Sequence, residues 1–125
     1  MNFLKTRSAS TVAAMLLMAS ATPAFAHHGW SDYDADARLT LKGIIKASSY
    51  ENPHASITLN ADSRTYTVIL APVSRMEGRG ASREALAVGK EVTVIGYPSR
   101  TRPGEVRAER IQFREADADK TVELR

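Results

Sequence analysis

Apolar and polar residues alternate in several short stretches of this chain, and the alternation predicts a protein built from β-strands. In the third stretch, Tyr66, Val68 and Leu70 share one parity, so one face of that strand is expected to be buried and the other exposed. Turn-forming residues separate the stretches. The predicted strands are Leu39–Ser49, Ala55–Leu59, Arg64–Leu70, Glu91–Gly96 and Val106–Phe113, with a short sixth strand over Thr121–Leu124.

Two of the predicted strands carry an irregularity. Gly43 interrupts the first strand, and a glycine inside a strand often marks a bulge or a sharp bend. In the fifth strand the apolar residues change parity after Ala108. A bulge near Glu109–Arg110 would restore a continuous apolar face.

The stretch between the third and fourth strands predicts one short helix. Pro72–Ala81 is expected to be a loop, after which Ser82 can cap a helix over Arg83–Val88 that stops at Gly89. Three strands, a helix and two strands is the order of the oligonucleotide/oligosaccharide-binding (OB) barrel. We therefore predict an all-β, OB-fold-like closed barrel of five to six strands with one short helix, and an open antiparallel sandwich is the alternative. The predicted core residues are Ile57, Tyr66, Val68, Leu70, Leu86, Val92, Val94 and Ile111.

The first 26 residues have the layout of a cleavable signal peptide. Lys5 and Arg7 make the amino end positive, Thr11–Ala21 is a short apolar run, and Ala24-Phe25-Ala26 offers small residues for cleavage. The alternative is a membrane anchor, but a spanning helix needs roughly 20 apolar residues. We expect a signal peptide over residues 1–26, an extended amino-terminal arm over 27–38 and a β-barrel domain over 39–125, in a periplasmic or secreted protein.

Composition narrows the classes of partner. The chain has 17 basic and 14 acidic residues, but Lys5 and Arg7 would leave with the signal peptide, which brings the mature chain close to neutrality. This weakens any argument for nucleic-acid binding, and no nucleic-acid partner is expected. The absence of cysteine excludes disulfides and thiolate metal sites. No second apolar run follows the signal peptide, so no membrane span is expected after cleavage.

The three histidines are the strongest candidates for chemistry. If cleavage follows Ala26, the free amine and the ring Nδ1 of His27 can chelate one metal ion. A second imidazole, from His54 or His28, would complete a three-nitrogen site that suits Cu(II), and His28 also offers a rival chelate of its own. Asp34 could add an oxygen or orient a histidine. The alternative is that these histidines are simply polar surface and turn residues.

Arginines form a second, weaker candidate site. Arg75, Arg79 and Arg83 surround the glycine-rich loop, and guanidinium groups suit carboxylates and phosphates. Acidic residues such as Glu77 and Glu84 lie among them, however. The alternative is therefore a solvated surface of ion pairs.

The chain resembles a family of small exported bacterial proteins of unknown function. The specific matches are the paired histidines in His27–Ser31, with Tyr33-Asp34 after them, and the turn Asn52-Pro53-His54. Leu41-Lys42-Gly43, Leu86–Val94 and Gly96 extend the match over nearly the whole mature chain. It departs at Tyr66 and Ile69, where members often carry Trp and Glu, so any role of that acid is absent here. The resemblance implies an exported barrel and no established activity.

The function predicted from these features is that of an exported small binding protein. The first hypothesis is a protein that holds a copper-type ion at His27 and His54, assisted by His28 or Asp34. The alternative is an OB-like barrel that binds an unknown protein or small molecule and no metal. An enzyme is the least favoured hypothesis, because no paired carboxylates, Ser/His pair or phosphate-binding loop is visible in the sequence.

Overall fold

A computed structural model of the protein describes residues 29–125. The predicted signal peptide, and with it His27 and His28, lies outside this range. The described chain forms a 3-10 helix, six strands and one α-helix. Their bounds are Trp30–Asp32 for the 3-10 helix, Leu39–Ser49 (β1), Ser56–Ala61 (β2), Arg64–Ile69 (β3), Val73–Gly78 (α1), Glu91–Pro98 (β4), Glu105–Glu115 (β5) and Ala118–Glu123 (β6).

The first five strands close into a barrel. β1 pairs with β4 through its first half and with β2 through its second half, and β2 continues to β3. A parallel pairing of β3 with β5 over Thr67–Ile69 closes the ring, while β6 adds to the outer edge of β5. This is the predicted OB-fold-like barrel, and the expectation of five to six strands with one short helix is confirmed.

The alternation seen in the sequence describes the barrel core well. Seven of the eight predicted core residues are buried, with Ile57, Val68 and Leu70 at most 2% exposed. The exception is Tyr66, which is only partly buried. The pairing of β3 with β5 begins at Thr67, so Tyr66 lies beyond the closed part of the ring.

The predicted bulge in β5 is confirmed. Ile95 of β4 is opposite Arg110 and Gly96 is opposite Ala108, which leaves Glu109 as the extra residue. The bulge shifts the parity of β5 by one residue. As a result Ala108 and Ile111 both point into the core, and both are fully buried.

The position of the helix was predicted wrongly. The helix α1 begins directly after Pro72, inside the stretch predicted as a loop, whereas Arg83–Leu86 forms only hydrogen-bonded turns. Ser82 does accept a hydrogen bond from the amide of Ala85, at 3.2 Å, but no helix follows. The helix forms after Pro72 because this position places the fully buried Met76 against the core.

Candidate functional site

The junction between the amino-terminal segment and the barrel is built around Tyr33. Residues 30–32 form a turn of 3-10 helix instead of the extended arm expected there, and Tyr33 then forms an isolated bridge with Ser99. The Tyr33 side chain is only 3% exposed, and its hydroxyl donates a hydrogen bond of 2.7 Å to Oε1 of Glu105. Arg102 contacts the same carboxylate oxygen at 3.0 Å. The segment is therefore anchored where β4 ends and β5 begins.

Trp30 adds a second anchor on the outer wall of the barrel. The Cζ atoms of Arg107 and Arg125 lie 4.7 and 4.8 Å from the centre of its ring. The ring of Tyr97 approaches edge-on, with centroids 6.2 Å apart, and its hydroxyl donates to Glu109 at 2.9 Å. Cation–π contacts of this kind contribute about 0.5–1 kcal/mol each at exposed sites. Several weak contacts therefore hold Trp30 in place on the barrel.

The environment of this junction changes the ionisation of its residues. Burial, then the hydrogen bond to Glu105 and the charge of that carboxylate, raises the pKa of Tyr33 to about 12. The hydrogen bond to Glu109, followed by burial, raises the pKa of Tyr97. Burial lowers the pKa of Arg107. The junction therefore favours neutral phenols over phenolates.

We expect the stabilising effect of Tyr33 to disappear at high pH. Its protonated form is favoured in the folded state, so the stabilisation is complete below pH 10 and is lost as the pH rises from 10 through about 12. Urea unfolding of the wild type and of Tyr33→Phe across this range measures the difference between their free energies of unfolding. That difference should shrink as Tyr33 ionises. A difference that does not change with pH would contradict the buried hydrogen bond.

His54 lies in the loop between β1 and β2 and is partly buried. The pairing of β2 with β3 and of β3 with β5 relates the position of His54 to that of Trp30. Ser56 pairs with Ile69, and Ile69 pairs with Arg107, so two strand spacings of about 4.8 Å separate Ser56 from Arg107. His54 precedes Ser56 by two residues in the loop, so it lies near the β2 end of the row that leads through Ile69 to Arg107.

The carboxylate of Asp34 makes contacts with nearby residues. Its Oδ1 accepts a hydrogen bond of 3.0 Å from the amide of Asp36 and lies 3.8 Å from Nη2 of Arg100. Within residues 29–125, no three His, Cys, Asp or Glu side chains are grouped so that they could hold a metal ion. A metal site built on the predicted ligands would therefore need His27 or His28.

The three arginines predicted to bind an anion do not form one cluster. Arg75 and Arg79 donate to backbone carbonyls at the end of β6, at 3.1 Å to Leu124 and 2.7 Å to Glu123. Arg83 instead lies over the ring of Tyr50, 5.2 Å from its centre, and donates to the Tyr50 carbonyl. The side chains of Arg75 and Arg79 thus connect α1 to the last strand, and Arg83 anchors a different loop.

The sequence did not indicate the residues that surround Trp30. Arg107 and Arg125 are separated from it by more than 70 positions, and they meet it only because β5 and the end of β6 lie side by side. In the sequence, Trp30 could be singled out only because it is the one tryptophan of a chain with few aromatic residues. A lone Trp beside paired histidines can be noticed in the sequence, but its neighbours depend on the barrel register.

These features define a class: a single closed OB-type barrel with an amino-terminal segment fixed to its outer wall. The chain belongs to a family of unknown function, DUF6152, whose sequence model matches residues 15–107. There is no match among the curated proteins. Among the described residues, no helix is long and apolar enough to cross a membrane.

Among solved structures, two crystal structures of TiaS are similar to this chain. The ZRD-deleted mutant in complex with agmatine has a TM-score of 0.52 and 17% identity, over 70% of this chain and 26% of the TiaS chain. The complex of TiaS with an isoleucine tRNA and ATP has a TM-score of 0.49 and 20% identity, over 62% of this chain and 18% of the TiaS chain. This chain thus aligns with about a quarter or less of either TiaS chain, and the likeness to the agmatine complex shows the fold alone.

Proposed function

We infer that this protein is a small exported binding protein that holds a copper-type ion where its processed amino end meets the barrel. The ligands are the free amine and ring of His27 together with the ring of His54. The anchoring of Trp30 against Arg107 and Arg125 is the observation that carries this proposal. It fixes the point on the barrel from which the preceding residues extend.

His27 can reach His54 from the position at which Trp30 is held. Three residues separate the His27 amine from Trp30, a span of up to about 10 Å. Two strand spacings, about 10 Å, separate Ser56, two residues after His54, from Arg107, whose guanidinium lies over the ring of Trp30. Both side chains extend several ångströms further, so a chelate at His27 can meet the imidazole of His54 without unfolding the junction.

The donor set supports copper over harder ions. Three nitrogens in one plane suit Cu(II), whereas calcium and magnesium prefer oxygen ligands. The fourth position falls to His28 more naturally than to Asp34, because Asp34 is already engaged with Asp36 and Arg100. Protons compete with copper for the amine below about pH 8 and for the imidazoles below about pH 6.5, so affinity should weaken as the pH falls, most steeply below about pH 6.

The test is a Cu(II) titration of the processed protein at neutral pH, followed by the fluorescence of Trp30, the only tryptophan. Cu(II) held three residues away should quench this emission strongly. We expect affinity to fall by at least about tenfold, or 1.4 kcal/mol, when one extra residue precedes His27 or when His54 is replaced in His54→Ala. A chelator should restore the emission.

His28→Ala separates the two possible chelates. If His27 and His54 are the main ligands and His28 only assists, this variant keeps most of the affinity, whereas a chelate built on the amine and the His28 ring would be lost. Equal binding by the native protein, the extended protein and His54→Ala would exclude this site. The OB-like barrel that binds a protein or small molecule without metal would then be preferred.

A further inference from the structure

A groove crosses the outer face of the sheet formed by β1, β4, β5 and β6. It has a volume of about 480 Å³, within the usual range of roughly 300–1,000 Å³ for small-molecule sites. Thr93 and Ser99 lie six residues apart on β4 and the chain after it, so the groove is about 20 Å from the Tyr33 bridge. It is therefore separate from the junction at Tyr33.

The floor of the groove is a row of uncharged hydrogen-bonding side chains. Thr93 is opposite Gln112, and Gln112 is opposite Thr121, so the three residues stand side by side on adjacent strands. Each hydroxyl both donates and accepts, and the Gln amide offers both functions as well. Their spacing of about 4.8 Å follows from the strand separation.

Two ion pairs flank this row, one on each side. Nζ of Lys42 lies 3.5 Å from Oε1 of Glu91 on the β1 side, and Nη1 of Arg114 lies 3.5 Å from Oδ1 of Asp119 on the β6 side. All four side chains are at least 60% exposed. Exposed pairs of this kind are weak, so each charge can exchange its partner for a ligand group.

The charge balance of the groove limits the class of ligand that it can bind. Two cations and two carboxylates line the groove, so it has no net charge with which to attract a polyanion. Phe113 also borders it, but its side chain is only 4% exposed, so no aromatic platform is available for stacking bases. The polar floor gives little to an apolar ligand.

We propose that this groove binds a neutral saccharide. Every hydroxyl of a sugar donates and accepts, so it can bond to Thr and Gln on the floor and to either member of the flanking pairs. Carboxylates such as Glu91 and Asp119 can accept from two neighbouring hydroxyls. Without stacking on an aromatic ring, binding is expected to be weak and governed by hydrogen bonds.

The experiment is a ¹H–¹⁵N NMR titration of the protein with three neutral trisaccharides, maltotriose, cellotriose and tri-N-acetylchitotriose, and with the acidic trigalacturonate as a comparison. We expect at least one neutral sugar to shift the amides of Thr93, Gln112 and Thr121, and trigalacturonate to bind no more tightly. Gln112→Ala and Thr121→Ala should each weaken binding by about threefold to tenfold. Thr67→Ala, an exposed threonine on β3 outside the groove, is the matched control and should bind as the wild type does.

Three outcomes would overturn the proposal. None of the neutral sugars shifts the groove amides up to its solubility limit, or trigalacturonate binds more tightly than every neutral sugar, which indicates an anion site. The third is that Gln112→Ala and Thr121→Ala, with otherwise unchanged spectra, bind as tightly as Thr67→Ala. Copper binding should not change in any of these variants, so this test and that of the metal site give separate answers.

Discussion

Replacing Gly43 with alanine should strongly destabilise the barrel. At Gly43, β1 passes from its pairing with β4 to its pairing with β2, and the next residue, Ile44, is opposite both Glu91 and Asn60. A methyl group added there would overlap the backbone carbonyl oxygen of Asn60. That carbonyl belongs to β2 and cannot rotate away as a flexible side chain could. We expect a loss of about 3 kcal/mol or more in the free energy of unfolding.

Urea denaturation followed by circular dichroism measures this loss, and Gly78→Ala provides the control. Gly78 ends α1, and an added methyl group there meets nothing within 4 Å. Its effect should stay within about 1 kcal/mol, since alanine is the better helix former. If Gly43→Ala unfolded at the same urea concentration as the wild type, the close approach of β1 to β2 would be wrong.

Leu70→Ala should cost about 2–5 kcal/mol of stability, the range for emptying a buried leucine site. Leu70 is 2% exposed and packs in the core cluster, and its amide donates to the carbonyl of Ala55 at 2.9 Å. A domain of this size is stabilised by only about 5–15 kcal/mol in total. The variant should therefore unfold at a clearly lower urea concentration, with the slope of the transition unchanged.

Ile69, the residue before Leu70, provides the comparison for Leu70→Ala. Ile69 points to the outer wall, between Ser56 and Arg107, and is only partly buried. Ile69→Ala removes a similar volume and should cost clearly less than Leu70→Ala. Equal losses, or a loss below about 1 kcal/mol for Leu70→Ala, would mean that the parity of β3 is misassigned.

The barrel could be predicted from the sequence because its main signals are local. Alternation along β3 identifies the buried face without knowledge of any partner strand, and the parity change after Ala108 locates the bulge at Glu109. The end of β5 was harder to define. The Ala116-Asp117 turn, in which both residues have positive φ, carries no glycine to mark it, so β6 begins three residues earlier than predicted.

The misplaced helix and the missed anchor have different causes. Ser82 and Glu84 form a good helix start, but the core accepts Met76, so the helix forms directly after Pro72 instead. The contacts of Trp30 come from residues at the far end of the chain. Local patterns cannot report such pairs. The metal ligands, of which only His54 and Asp34 lie in the described range, stay a prediction.

The parallel pairing that closes the barrel also determines when the fold can be completed. Thr67 and Glu105 are paired although 38 positions separate them, so β3 has no partner on its open side until α1, β4 and the turn before β5 have been laid down. Closing such a long loop before any contact compensates for the lost entropy is slow, and barrels rich in distant pairings typically fold in milliseconds to seconds. A chain that ends before Glu105 would leave the edge of β3 exposed, and an unpaired edge invites association with other chains.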